Sequence, residues 1–268
     1  MAAAAELSQA IALAEEADRP AEFLGLGKRN VAPLTLFVVR GQGDFDRAGR
    51  GRAPAWGAGL AIPEARLIVV RLDGDDPRRV LRHELAHLAL RQSITGRVPR
   101  WFDEGYAVLA AGEFNRFDGL SLNLAVALGR VPSFDRLNRD LRGDAVAADA
   151  GYALAGSAVA FLASRTPGGL LVPILERLRA GEPFDSAVAR STGLNPGRVE
   201  TAWHRHLRGR YNLGLWLVAG GMWILLAGAV VLASVLRRRR DRPRRAALDQ
   251  GWDVSDGDED PLGADQKP

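Results

Sequence analysis

The chain has 268 residues, 47% of them apolar and 25% charged, enough for one good-sized globular domain with chain to spare. It contains no cysteine, which excludes disulfide frameworks and thiolate metal sites and leaves histidine and carboxylate to hold any metal ion. The net charge is only +4, and outside residues 237–245 the arginines are scattered among acids without interleaved aromatics, so no nucleic-acid partner is expected.

Residues 1–32 open with an alanine-rich stretch in which Leu7, Ile11 and Leu13 fit an amphipathic helix loosely, and form an N-terminal helical segment. A basic start followed by an unbroken apolar core is missing, so no export signal is recognisable in the sequence as written. Pro33–Val39 and Ala65–Val70 read as strands. Between them lie Gly41-Gln42-Gly43, an Arg/Gly-rich loop, and the segment Trp56–Ala61. Its Gly57, Ala58 and Gly59 mark either a sheet edge that pairs with an extended peptide or a bulge or tight turn.

Asp75-Asp76-Pro77 is a helix start and predicts a helix from about Asp76 to Gln92. Leu81, Leu85, Leu88 and Gln92 share its core-facing stripe, and Val80, His83, Glu84, His87 and Arg91 form the neighbouring one. The second stripe contains His83-Glu84-Leu85-Ala86-His87, the pattern H-E-x-x-H. Histidines four residues apart lie one turn from each other on one helix face, so both imidazoles can address a single metal ion. Glu84 projects from the same side, where it can take the proton of a water held by that ion. This is the arrangement of a zinc hydrolase; the bland alternative is a solvated helix face that these side chains merely decorate.

Beyond the loop Ser93–Pro99 comes Arg100-Trp101-Phe102-Asp103-Glu104-Gly105-Tyr106-Ala107. The succession H-E-L-A-H, short loop, W-F-D-E-G-Y-A resembles the gluzincin metallopeptidases, in particular the bacterial peptidase MA-like domains. The resemblance implies that Glu104, on the helix after the active-site helix, is the third zinc ligand beside His83 and His87. Sixteen residues separate His87 from Glu104, slightly fewer than in the related aminopeptidases, so a tight connecting loop is expected. The ligand chemistry agrees. Two neutral imidazoles and one carboxylate leave a bound Zn2+ with net positive charge, which lowers the pKa of its water from 15.7 to about 7.

Asp103, next to the ligand, either holds a histidine N–H from behind or is a solvated carboxylate at a helix start. Trp101, Phe102 and Tyr106 are expected in the core. Gly112–Asp149 is less informative, with a short helix predicted after Pro132. The small residues of the following stretch, to Leu162, allow close helix packing. The resemblance also suggests Tyr152 as the donor to the oxyanion; the alternative is a packing tyrosine. Gly168–Arg179, Pro183–Arg190 and Asn195–Leu207 read as three further short helices. His204 and His206 fall on different faces of the last of these and are poor joint ligands. The resemblance covers Leu34 to Arg210 and implies an α+β, zincin-like domain over residues 33–210: a small N-terminal sheet, the active-site helix and a helical C-terminal part.

From Leu213 to Leu236 no residue is charged, a run that at 1.5 Å per residue spans a hydrocarbon core of about 30 Å. It is read as one transmembrane helix. Arg237–Arg240 with Arg242, Arg244 and Arg245 follow it, and by the positive-inside rule the tail is cytoplasmic and the catalytic domain outside, tethered to membrane lipid by a single pass. That topology requires an export signal upstream of Met1 or already removed. The tail 237–268 turns from basic to acidic and is expected to be disordered. Two functions fit: a membrane-anchored zinc metallopeptidase acting on peptide or protein substrates, with Glu84 as base, or a gluzincin-like domain that keeps its zinc for binding or assembly.

Overall fold

The computed structural model describes residues 2–52, 57–74, 76–113, 116–143, 145–211 and 223–238. The chain divides into two units, Met1–Leu213 and Gly214–Pro268. The first is mixed α and β, mostly helical with two small sheets.

Helix α1 (Ala2–Asp18) and the hairpin of β1 (Ala21–Phe23) and β2 (Gly27–Arg29) make up most of the N-terminal segment. They belong to the same hydrophobic core as the rest of the unit, through Leu13, Ala17, Phe23, Leu26 and Val31. Arg82, in the helix that carries the H-E-x-x-H stretch, ties α1 to it by an ion pair to Glu16.

The second sheet has the order β3 (Thr35–Val39), β5 (Leu67–Arg71), β4 (Gly59–Ile62), with β3 parallel and β4 antiparallel to the central strand. Ile68, Val69 and Val70 of β5 are buried, as expected of a strand with neighbours on both sides. The tight turn from β4 to β5 passes through Arg66 in the left-handed region. Between β3 and β4 the chain forms α2 (Gly41–Ala48), where the sequence reads as a glycine-ended strand and a loop. Gly41 takes up a positive φ and donates its N–H to Asp73, while Phe45 is fully buried and anchors the helix. One buried aromatic outweighs the modest cost of glycine in a helix this short.

Helix α3 (Pro77–Ser93) carries the H-E-x-x-H stretch. Its start is as expected, Pro77 in the first turn and the Asp76 side chain accepting from the Arg78 N–H. Leu81, Leu85 and Leu88 face the core, but Gln92 does not. It is exposed, and its amide donates to the Val31 carbonyl. A short connection leads to α4 (Arg100–Ala110) and is fastened to the far side of the unit by Thr95, whose N–H and hydroxyl meet the Leu178 carbonyl.

Helix α5 (Arg116–Ala127) fills the region without clear periodicity, and α6 (Phe134–Asp140) is capped by Ser133. Helix α7 (Ala145–Ser164) packs along α4, and three short helices, α8 (Val172–Arg179), α9 (Phe184–Thr192) and α10 (Pro196–Arg210), close the unit. The α4–α7 contact depends on Gly105. A Cβ there would sit 2.6 Å from the Ala155 carbonyl carbon and 2.8 Å from Val159 Cγ2, so only glycine lets the two backbones approach this closely. Trp101 stacks on Phe134 at 4.2 Å between ring centroids, and Phe134 on Trp203 at 5.1 Å, which locks the start of α4 against α6 and α10.

In the second unit residues 223–238 form a helix with exposed apolar side chains from Trp223 to Leu236. Among the described residues no helix is long and apolar enough to cross a membrane. Residues 213–222 of the expected span, and the tail from residue 239, lie outside the described residues.

Candidate metal centre

His83 and His87 leave α3 one turn apart, and their rings lie edge to face with centroids 4.9 Å apart. Glu104 comes from α4, packed beside α3. Its Oε2 lies 3.6 Å from Nε2 of His83 and 3.4 Å from Nε2 of His87, and one donor atom from each of the three residues falls within a 4.8 Å cluster. Donors in a tetrahedral site with bonds of about 2.0–2.1 Å are themselves roughly 3.4 Å apart, so the spacing suits a metal ion.

What stands behind the rings suits it too. Nδ1 of His83 lies 3.0 Å from Glu113 Oε2, and Nδ1 of His87 lies 3.0 Å from Asp103 Oδ1. An ionised carboxylate can only accept, so each ring carries a proton on Nδ1 when neutral and turns the lone pair of Nε2 toward Glu104. Asp103 is held in turn by Arg91, whose NH2 donates to Oδ2 at 2.6 Å. Of the two readings open for Asp103, the structure thus places it behind a histidine. Glu113 plays the matching part for His83, and nothing in the sequence singles it out. It lies just past α4 in a stretch with no motif, and only the fold brings it back to α3.

Glu104 is nearly buried at 7% exposure, with Oε1 paired to Arg100 NH2 at 3.0 Å and Oε2 left to the imidazoles. Burial alone would raise its pKa, but the imidazoles of His83 and His87 beside it outweigh that and, when charged, hold the carboxyl well below the usual range. Burial conversely disfavours the charged imidazoles, yet the neighbouring carboxylates of Glu104 and Glu113 lift His83 to about 9. Asp103 and Glu104 push His87 up in the same way. A cluster of three carboxylates around two imidazoles is a pocket for positive charge, which protons or a divalent cation can supply.

Glu84 points into the same place and is buried at 8% exposure. Burial raises its pKa, against the pull of the two histidines. Strand β4 crosses directly above it. A Cβ on Gly59 would lie 2.5 Å from Val80 Cγ1 and 2.6 Å from Glu84 Oε1, so the glycine is what lets the strand pass over the acid. Gly59 lines the cleft with Leu60 and Ala61, whereas Gly57 and Ala58 do not. Their carbonyls are taken by Arg71, through its guanidinium to Gly57 at 3.3 Å and its N–H to Ala58 at 2.9 Å.

Tyr152 of α7 faces His83 edge-on at 5.9 Å between centroids and borders the same cleft, of about 550 Å³. Burial, with Glu104 and Glu84 nearby, pushes its phenol above the ordinary value, so it stays protonated at neutral pH. The other histidines lie elsewhere, His204 Nε2 on the Pro132 carbonyl and His206 against Phe161.

Residues 23–209 match the family model of the Peptidase MA superfamily. The match begins upstream of Leu34 and takes in the end of β1 and all of β2. No curated protein and no solved structure matches the chain.

If the carboxylates behind the imidazoles fix the ligands, removing either one weakens metal binding. Asp103→Ala and Glu113→Ala are each expected to lower zinc affinity by about 10–100-fold, read by competition with a chromophoric chelator. Unchanged affinity in both variants would show that the rings are held by something else.

Proposed function

The chain belongs to the Peptidase MA superfamily, and from that premise we propose that it is a zinc-dependent metallopeptidase held at a membrane by its C-terminal segment. The observation that carries the catalytic part is the convergence of His83, His87 and Glu104 beside the buried Glu84 on one cleft. When bound, Zn2+ supplies a Lewis acid that lowers the pKa of water and polarises a peptide carbonyl. His83, His87 and Glu104 would hold it, two imidazoles with a carboxylate being an ordinary set of ligands for that metal.

The remaining chemistry falls to the chain's own side chains. Glu84 accepts the proton of the attacking water on its carboxylate and returns it to the leaving amine. Its burial favours this, because it raises the carboxyl's proton affinity above that of an exposed glutamate, the direction a group that takes and returns a proton needs. Tyr152 keeps its proton and donates a hydrogen bond to the charge that develops on the carbonyl oxygen. The outer edge of β4 has no strand beside it among the described residues and lines the cleft; the Ala61 backbone bonds Glu84, and Gly59 gives an extended substrate its main-chain partner. Gly57 and Ala58 support that edge from below through Arg71 rather than touching substrate.

Hydrolysis of a peptide library by the full-length chain tests this reading. Glu84→Gln is expected to reduce turnover by about 10²–10⁴-fold while zinc still binds one to one, and chelation is expected to abolish turnover until zinc is restored. Stoichiometric zinc with no cleavage by either form would instead make the domain a zinc-binding module without enzymatic activity.

Membrane attachment is supported by the uncharged run 213–236, the exposed apolar side chains over 223–236 and the arginines that follow. On this reading the peptidase domain is extracytoplasmic and the tail cytoplasmic. Protease added to intact cells is then expected to digest the domain; full protection until lysis would reverse the topology.

A further inference from the structure

Arginines reach the cleft around the candidate metal centre from five separate segments. Arg52 follows α2, Arg91 lies in the last turn of α3, Arg97 lies in the α3–α4 connection, Arg100 opens α4, and Arg142 follows α6. Two of them are already committed, Arg91 to Asp103 and Arg100 to Glu104. Even so, Arg100 keeps a buried Nε–H with no partner among the described residues. The other three, Arg52, Arg97 and Arg142, are exposed and make no ion pair among the described residues. A guanidinium is not deprotonated at any physiological pH, so this rim is permanently positive. The acids of the cleft do not balance it. Asp103 and Glu104 are spent on the histidines and their own arginines, and Glu84 is buried against the metal ligands. Glu64 is the remaining carboxylate on the wall.

Resting on the peptidase reading above, we propose that the cleft selects acidic peptide segments, with Arg52, Arg97 and Arg142 pairing with carboxylates on either side of the bond to be cleaved. A free C-terminal carboxylate has the same chemistry. But one such group is satisfied by one guanidinium bidentately, and three arginines on three different segments match several carboxylates spread along an extended chain. Exposed pairs are individually weak, each contributing about two- to fivefold, so the preference comes from their number and fades with salt.

The test measures binding apart from cleavage. The zinc-loaded full-length Glu84→Gln protein is titrated, by fluorescence anisotropy, with three labelled peptides of one length. The first has Asp and Glu around its centre and an amidated C-terminus. The second has the same residues as Asn and Gln, also amidated. The third is the neutral peptide with a free C-terminus. The acidic peptide is expected to bind about tenfold more tightly than either of the others at low salt, with the gap narrowing at 0.5 M salt. Arg97→Glu with Arg142→Glu is expected to invert the preference toward a fourth peptide that carries lysine in place of the acids, a gain that loss of folding cannot produce. Equal affinities for the acidic and neutral peptides, no binding by any peptide, tightest binding by the free C-terminus, or an uninverted preference in the double variant would each overturn the proposal. The same peptides offered to the wild-type protein separate the two readings. Arginine-dependent binding without cleavage would leave charge selection standing and remove the peptidase. Cleavage without charge preference would do the reverse.

Discussion

An imidazole on a helix surface turns freely about two bonds, and two of them one turn apart have no reason to aim their nitrogens at a common point. Glu113 and Asp103 supply that reason. By accepting from Nδ1 of His83 and His87 they fix ring orientation and tautomer together, and Nε2 of each ring is left facing Glu104. Arg91 and Arg100 then neutralise the outer oxygens of Asp103 and Glu104, which keeps a crowd of carboxylates tolerable in a half-buried place. The rest of the unit serves to hold these groups at the right depth.

Two absent side chains set that depth. Gly105 directly follows Glu104, and its bare Cα admits the backbone of α7 at Ala155, bringing α4, α7 and with them Glu104 and Tyr152 to one cleft. Gly59 does the same for the sheet, letting β4 cross over Glu84 near enough to wall the acid from water and raise its affinity for a proton. Each glycine costs some conformational entropy on folding and returns a backbone approach that no other residue permits. The aromatic stack of Trp101, Phe134 and Trp203 and the Thr95 bonds to α8 brace the connection between α3 and α4 from the opposite side.

The parts of this arrangement that are local in sequence are legible there. The i, i+4 spacing of His83 and His87, the capped start of α3 and the buried Leu81, Leu85 and Leu88 follow from helical periodicity. Glu104 is reached only through the motif it sits in, since nothing local ties residue 104 to residue 87. Glu113 and the arginine rim are invisible for the same reason: their meaning arises where separate segments converge, and Arg52, Arg97 and Arg142 look alike in sequence to any solvated arginine. Helix α2 is missed because glycine at positions 41 and 43 outweighs, in a local reading, the burial of Phe45 that only the fold supplies. Gly57 and Ala58 fall just before the strand, which begins at Gly59, and Arg71, distant in sequence, takes their carbonyls.

X-ray absorption at the zinc edge, on the full-length protein loaded with one equivalent of Zn2+, tests the proposed centre most directly. Light N/O scatterers with the multiple-scattering signature of two imidazoles are expected, falling to one in His87→Ala. A spectrum without imidazole scattering, or one unchanged by that substitution, would contradict it.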